Sequence, residues 1–319
     1  MSPNTKKVIA HRGASGYLPE HSLTAKAYAH ALGADYVEQD IALTRDRVPI
    51  VIHDLYLDCI SNVADVFPTR SRDDGHYYAI DFNWAEIKTL TAHDRTNPQT
   101  GKSQFPGRYG LRNIGADIHT LAEEIEFIQG LNKSTGRNVG FYMEVKNPLF
   151  HKKAGMDIGK AIIKILEDYD LNKENSPCLV FCFESSVLKH MRFDLGCRTQ
   201  MSQLIGEPGT EDDPTDDFEF YETSEGLKEI TSYAQAISPP ILELLRLKAD
   251  GTPEILPLAQ KAKSVNLQIY PYTLRRDTLP QGVDEESVLN LLFSVTNIDG
   301  IITDFPDTSV SFLERNNLR

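Results

Sequence analysis

The chain contains no run of about 18 or more apolar residues, so no segment is long enough to cross a bilayer as a helix. Cysteine is scarce: the four residues, at 59, 178, 182 and 197, show no paired metal-site spacing. Cys178 and Cys182 fall within one strand candidate, and all four are expected to be free, mostly buried thiols. Positive charge is also in deficit, with 33 lysines and arginines against 46 aspartates and glutamates and a formal net charge of -13. That balance argues against a nucleic-acid partner, because phosphate backbones demand a basic surface. An anionic substrate would have to be met by local positive charge. Internal repeats, linkers and low-complexity segments are missing as well. What remains is an ordinary globular composition over 319 residues, 40% hydrophobic and 25% charged, which by itself names no function.

Three short apolar segments end in ionisable residues: Val8-Ile9-Ala10-His11-Arg12-Gly13, Tyr36-Val37-Glu38-Gln39-Asp40 and Ile50-Val51-Ile52-His53-Asp54. A buried strand end has no structural need for charge, so each of these residues asks for a reason. Strand side chains alternate faces, so Glu38 and Asp40 point the same way. Two like charges side by side repel unless a cation lies between them. Carboxylate oxygens suit a hard ion such as Mg²⁺ or Ca²⁺. The alternative is a core network in which Arg12 or Lys146 neutralises the pair. Gly13 fits a sharp turn or a close backbone approach.

The link from Asp40 to His53 is too short for a parallel crossover, so it reads as a hairpin. With Thr44 opposite Pro49, Asp40 would lie opposite His53. Around it, strand candidates at 7-11, 35-40, 139-145, 178-183, 199-205, 235-238, 267-273 and 300-304 alternate with helical patterns near 20-32, 119-133, 154-169, 184-194, 225-233, 253-265, 284-293 and 306-316. Eight strand-helix units predict a single (β/α)₈ TIM barrel spanning 1-319, with its active site at the strands' C-terminal ends. The polar stretch 55-118 after the second strand is expected to be a long loop roofing the site. A second polar stretch, 207-217, reads as a solvated loop rather than a second calcium site, since its carboxylates lack the EF-hand spacing.

The run His11-Arg12-Gly13-Ala14-Ser15-Gly16-Tyr17-Leu18-Pro19-Glu20-His21-Ser22, with Glu38-Gln39-Asp40, His53-Asp54, Tyr142-Met143-Glu144-Val145-Lys146 and Thr303-Asp304-Phe305-Pro306-Asp307, resembles glycerophosphodiester phosphodiesterases, more narrowly the bacterial periplasmic type. Similar stretches, among them Asp74-Gly75-His76-Tyr77-Tyr78 and Tyr270-Pro271-Tyr272-Thr273, span nearly the whole chain. His21 stands where asparagine is commoner in the wider family. The resemblance implies metal-dependent hydrolysis of glycerophosphodiesters, such as glycerophosphocholine or glycerophosphoethanolamine, to sn-glycerol 3-phosphate and an alcohol. It also implies that 55-118 is a substrate-capping insertion.

On this reading His11 and His53 exchange protons with the attacking and leaving oxygens, His11 as base and His53 as acid. Glu38, Asp40 and Glu144 hold one divalent cation, with calcium favoured over magnesium by the resemblance. Arg12 and Lys146 bind phosphate, Glu20 supports from behind or starts a helix, and Phe183 and Tyr272 line the substrate pocket. The nucleophile is either water or the substrate's own 2-hydroxyl. The partner is a small molecule, with no stable membrane insertion, and the oligomeric state is not legible. Two rivals are a lysophospholipase D or sphingomyelinase D on a related barrel, which would need a lipid-docking segment, and a non-catalytic binding protein, which would lack a catalytic element. The residues around Lys6 and Lys7 contain no apolar leader core. The resemblance therefore points to the periplasm if a leader has been removed, and otherwise the expectation is the cytoplasm.

Overall fold

The computed structural model describes residues 5–97, 100–109, 116–206, 217–248 and 252–319. Eight parallel strands carry the fold: β1 (Lys7–Ala10), β2 (Tyr36–Leu43), β4 (Gly140–Val145), β5 (Cys178–Cys182), β6 (Gln200–Leu204), β7 (Ala236–Ser238), β10 (Gln268–Ile269) and β11 (Gly300–Thr303), with β3 (Pro49–Val51), β8 (Leu245–Leu247) and β9 (Pro253–Ile255) outside the parallel set. Their order is β10-β7-β6-β5-β4-β2-β1-β11. A parallel bridge between Leu274 and Thr303, with Ile302 N–H donating to the Pro271 carbonyl at 3.0 Å, joins the two ends. The result is the expected barrel, with helices outside it.

A ring of apolar side chains including Ile9, Tyr142, Phe181, Leu204 and Ile302 fills the barrel interior, while a larger apolar layer packs between strands and helices. Local signals fix the helix ends. Ser22 caps Leu23–Ala31, Thr120 and Glu123 form a capping box on Leu121–Thr135, and Asp157 caps Ile158–Asp168. Gly33, at φ +96°, follows the first of these helices. All four cysteines are free and buried.

The hairpin forms with a register one residue from the expected one. Leu43, not Thr44, faces Pro49, so Asp40 lies opposite Ile52, whose N–H donates to its carbonyl at 2.9 Å. Thr44 closes the turn itself, accepting from Val48 through its hydroxyl and from Arg47 through its carbonyl. The pattern expected as one helix over 253-265 splits. Pro253–Ile255 pairs antiparallel with Leu245–Leu247, and the helix begins only at Leu258, just after Pro257. The last strand before the final unit is cut to Gln268–Ile269 by Pro271.

The stretch 55-118 is not a plain loop. Leu57, Ile60, Val63, Tyr77, Phe82, Ile87 and Leu90 bury one another against Ile50 and Ile52 as a small core of their own. Its apolar residues follow neither a period of 2 nor one of 3.6, which is why the sequence pattern reads as polar and irregular. Of the polar stretch 207-217, residues 207-216 lie outside the described residues.

Candidate active site

β1 ends in a backbone reversal. Arg12 has φ +55° and Gly13 φ +86°, and a Cβ on Gly13 would sit 2.8 Å from the Ala25 carbonyl carbon. That close approach turns Arg12 back over the barrel, where its N–H donates to Glu38 Oε2 at 2.5 Å and its guanidinium pairs with Glu20 at 3.0 Å and lies 3.5 Å from Asp40. Glu20 is thus an ion-pair partner of Arg12, and the helix start belongs to Ser22.

The two histidines are held alike. His11 Nδ1–H donates to Asp304 Oδ1 at 2.6 Å, and His53 Nδ1–H donates to Asp54 Oδ1 at 2.7 Å. Both aspartates are held well below the usual carboxylate range. Burial opposes this, and the neighbouring histidines and arginines overcome it. Aspartates kept ionised fix the histidine tautomer with the proton on Nδ1 and leave Nε2 for a substrate. Burial first, and then the Arg12 charge, pulls His11 down to about 4 and His53 to about 3, so both rings are neutral near pH 7 in the metal-free protein. Sequence reasoning missed both aspartates as site residues. Asp304 was visible as a charge ending the last strand, and Asp54 as the neighbour of His53.

Three carboxylates share the floor. Asp40 stands opposite Glu144 in the β2–β4 register, and Glu38 lies two residues earlier on the same face. Burial and the Asp40 charge drive Glu38 well above its usual value. Burial also lifts Glu144 to about 8, although Lys146 pulls against it at 2.7 Å. Asp40 remains ionised despite burial, held by Lys146, 4.0 Å away, then by His53 and His21. The core-network alternative is therefore met in part, since Arg12 and Lys146 both touch this set. They do not complete it, because the buried Asp40 Oδ1 has no hydrogen-bond partner.

An ionised oxygen with no hydrogen bond, met only by Lys146 at 4.0 Å among crowded carboxyl groups, fits a hard divalent cation. Glu38, Asp40 and Glu144 are the oxygen donors available to it. His21 Nε2 also lies within 4.8 Å of the Glu38 and Asp40 oxygens. It is engaged, however, as a donor to Asp40 Oδ2 at 2.8 Å, which orients that carboxylate.

The site opens into a cavity of about 350 Å³ lined by Lys146, Phe183 and Tyr272, together with Arg275, which the sequence did not single out. Segment 55-118 reaches the carboxylates that brace Arg12 and the two histidines. Arg95 grips both oxygens of Glu20 at 2.7 and 2.8 Å and Asp54 at 2.6 Å, while Arg108 pairs with Asp304 at 2.8 Å and Asp277 at 2.7 Å. Trp84 packs in the small core of that segment, away from the cavity lining.

A sequence model of the glycerophosphoryl diester phosphodiesterase family matches residues 11–308. A glycerophosphodiester phosphodiesterase of Haemophilus influenzae is 38% identical over 97% of this chain and 90% of its own. A solved structure described as a glycerophosphoryl diester phosphodiesterase from Silicibacter pomeroyi aligns at a TM-score of 0.71 and 20% identity, covering 99% of this chain and 95% of that one. An Oleispira antarctica phosphodiesterase, solved in complex with its product sn-glycerol-3-phosphate, aligns at 0.65 and 19% identity over 97% of each chain.

Proposed function

Because the chain belongs to the glycerophosphoryl diester phosphodiesterase family, we propose that it cleaves glycerophosphodiesters such as glycerophosphocholine and glycerophosphoethanolamine to sn-glycerol 3-phosphate and an alcohol, with one divalent cation bound by Glu38, Asp40 and Glu144. The observation that carries this reading is the pair of histidines braced alike by Asp304 and Asp54 beside a carboxylate set with an orphaned oxygen. The product named in the Oleispira antarctica structure supports the glycerol 3-phosphate half.

The cation would supply Lewis-acid stabilisation of phosphoryl charge and a template for the substrate. Arg12 and Lys146 add fixed positive charge where negative charge grows. His11 takes the proton of the attacking hydroxyl through Nε2, and its neutrality at rest suits a base. His53 Nε2, unprotonated at rest, takes up a proton as the substrate binds and gives it to the leaving alcohol. The substrate's own anionic charge beside the ring favours that uptake against burial, the largest cause of the depression, and then against the Arg12 and Lys146 charges. Segment 55-118 caps the substrate through Arg95 and Arg108. Calcium is favoured over magnesium by the family resemblance alone, since three carboxylates permit either ion.

The test is release of glycerol 3-phosphate from glycerophosphocholine by metal-stripped protein with Ca²⁺ or Mg²⁺ added back. Restoration by either ion supports the reading, and silence with both overturns it. His53→Ala should recover much of its rate on a nitrophenyl ester, whose leaving group needs no acid. His11→Ala should not, and equal rescue would reverse the assignment.

A further inference from the structure

Two cavities meet at the same four side chains, since His11, Arg12, His53 and Arg275 line both. Beyond them the first holds Glu38, Glu144 and Lys146 under an apolar wall that includes Phe183, Leu242 and Tyr272. The second, about 470 Å³, opens on the other side against segment 55-118, where Tyr56, Asp94, Arg95 and Phe105 line it. A phosphodiester carries two ester arms on one phosphorus, so a phosphate gripped at the shared residues sends one arm into each cavity. The polar floor of the first suits vicinal hydroxyls, and its apolar wall suits a three-carbon chain. The second cavity is left for the alcohol.

The charges of the second cavity are paired, with one exception. Arg12 and Arg95 are met by Glu20 and Asp54, and Arg108 and Arg275 by Asp304. Asp94 accepts from the Ser103 hydroxyl at 2.7 Å, yet among the described residues it forms no ion pair with any lysine, arginine or histidine side chain. A partly buried carboxylate with no ion-pair contact, felt only at a distance by Arg108, is costly, and it faces a space large enough for a small ammonium. Burial raises its pKa, against the hydrogen bonds from the Ser103 hydroxyl and the Arg95 backbone and the Arg108 charge, with Glu20 adding to the rise. Nor is an aromatic cage assembled, because the Phe105 ring is stacked by Arg108 at 3.9 Å and the Tyr56 ring by His76 at 4.1 Å.

Resting on the phosphodiesterase reading, we propose that this second cavity is the alcohol subsite and that Asp94 recognises a cationic head group, preferring a hydrogen-bonding primary ammonium such as ethanolamine to a quaternary one.

The test compares kcat/KM for glycerophosphoethanolamine, glycerophosphocholine and the neutral-headed glycerophosphoglycerol in the parent and in Asp94→Asn, with Asp94→Glu as the conservative control. The parent should rank them in that order. Asp94→Asn should lower the ethanolamine-to-glycerol ratio about tenfold, mainly through KM, and Asp94→Glu should restore most of it. An unchanged ratio in a variant with parental Tm would overturn the subsite assignment while leaving the phosphodiesterase reading intact. A parent that hydrolyses none of the three would overturn both.

Discussion

The two faces of β2 carry buried charge in opposite states of completion. Inward, Glu38 and Asp40 join Glu144 against Arg12 and Lys146, and the ionised Asp40 Oδ1 has no hydrogen-bond partner, only Lys146 at 4.0 Å. Outward, between them in sequence, Gln39 Nε2 donates to Glu124 at 2.8 Å. Lys26 pairs with the same carboxylate at 3.1 Å and His119 with its other oxygen at 2.7 Å. Lys26 also donates to the Glu38 carbonyl. One cation meets one anion there, and the atoms left over, Gln39 Oε1 and His119 Nδ1, belong to an amide and an imidazole and not to a carboxylate. Burial is equally deep on both faces, so burial does not separate a site from a scaffold. The separating feature is whether the chain supplies its own counter-charge.

Removing an inner carboxylate should have the largest effect and should be functional. Glu38→Gln should cut turnover of glycerophosphocholine by about 10³-fold and abolish cation binding by calorimetry. The metal-free fold should be no less stable, because a like-charge contact is relieved. Retention of a tenth of the parental rate would show that the inner set is not the centre of the chemistry. Removing one outer partner should do the reverse. Lys26→Met leaves Glu124 ionised and buried, which costs about 3–5 kcal/mol in urea unfolding. Rates measured on the folded fraction should fall far less than for Glu38→Gln.

This contrast was half legible in the sequence. The period of 2 in Tyr36-Val37-Glu38-Gln39-Asp40 shows that Glu38 and Asp40 share a face, and the alternation of strand and helix patterns shows where that face points. Lys26, Glu124 and His119 gave no such signal. They sit in helical or polar stretches where charge is ordinarily solvated, and only the packing of two helices on β2 buries them. Asp304 escaped assignment for a related reason, since its partner His11 is 293 residues away and no local spacing links them. The one-residue error in the hairpin shows the limit of counting back from a turn whose closing residues are unknown. Thr44 uses its side chain to close that turn, which a backbone count does not foresee.

Acid should distinguish the faces next. Glu124 is held at about 2, because Lys26, then His119 and Gln39, outweigh the upward push of burial. Its folded pKa lies below its unfolded one. The stabilisation it brings is therefore complete above about pH 4.5 and is lost as the pH falls from there toward 2, on the order of 3 kcal/mol in all. Stability measured by urea between pH 5 and 2.5 should show that decline, and Glu124→Gln should flatten it. An unchanged slope in the variant would mean that the outer carboxylate is not ionised against Lys26.

Replacing both outer charges should have the smallest effect. Lys26→Met with Glu124→Gln removes the anion together with its counter-ion, so neither charge is stranded, and the amide that replaces the carboxylate still offers a polar partner to Gln39 and His119. Stability should return to within about 1 kcal/mol of the parent. Cation affinity is then the sharper reading, because Lys26 also holds the carbonyl of Glu38. If the two faces are independent, the double variant binds Ca²⁺ within about threefold of the parent, a difference under 1 kcal/mol. A tenfold loss in a fold of parental stability would show instead that the outer pair positions the inner carboxylates. The closed face of β2 would then belong to the site as well as to the scaffold.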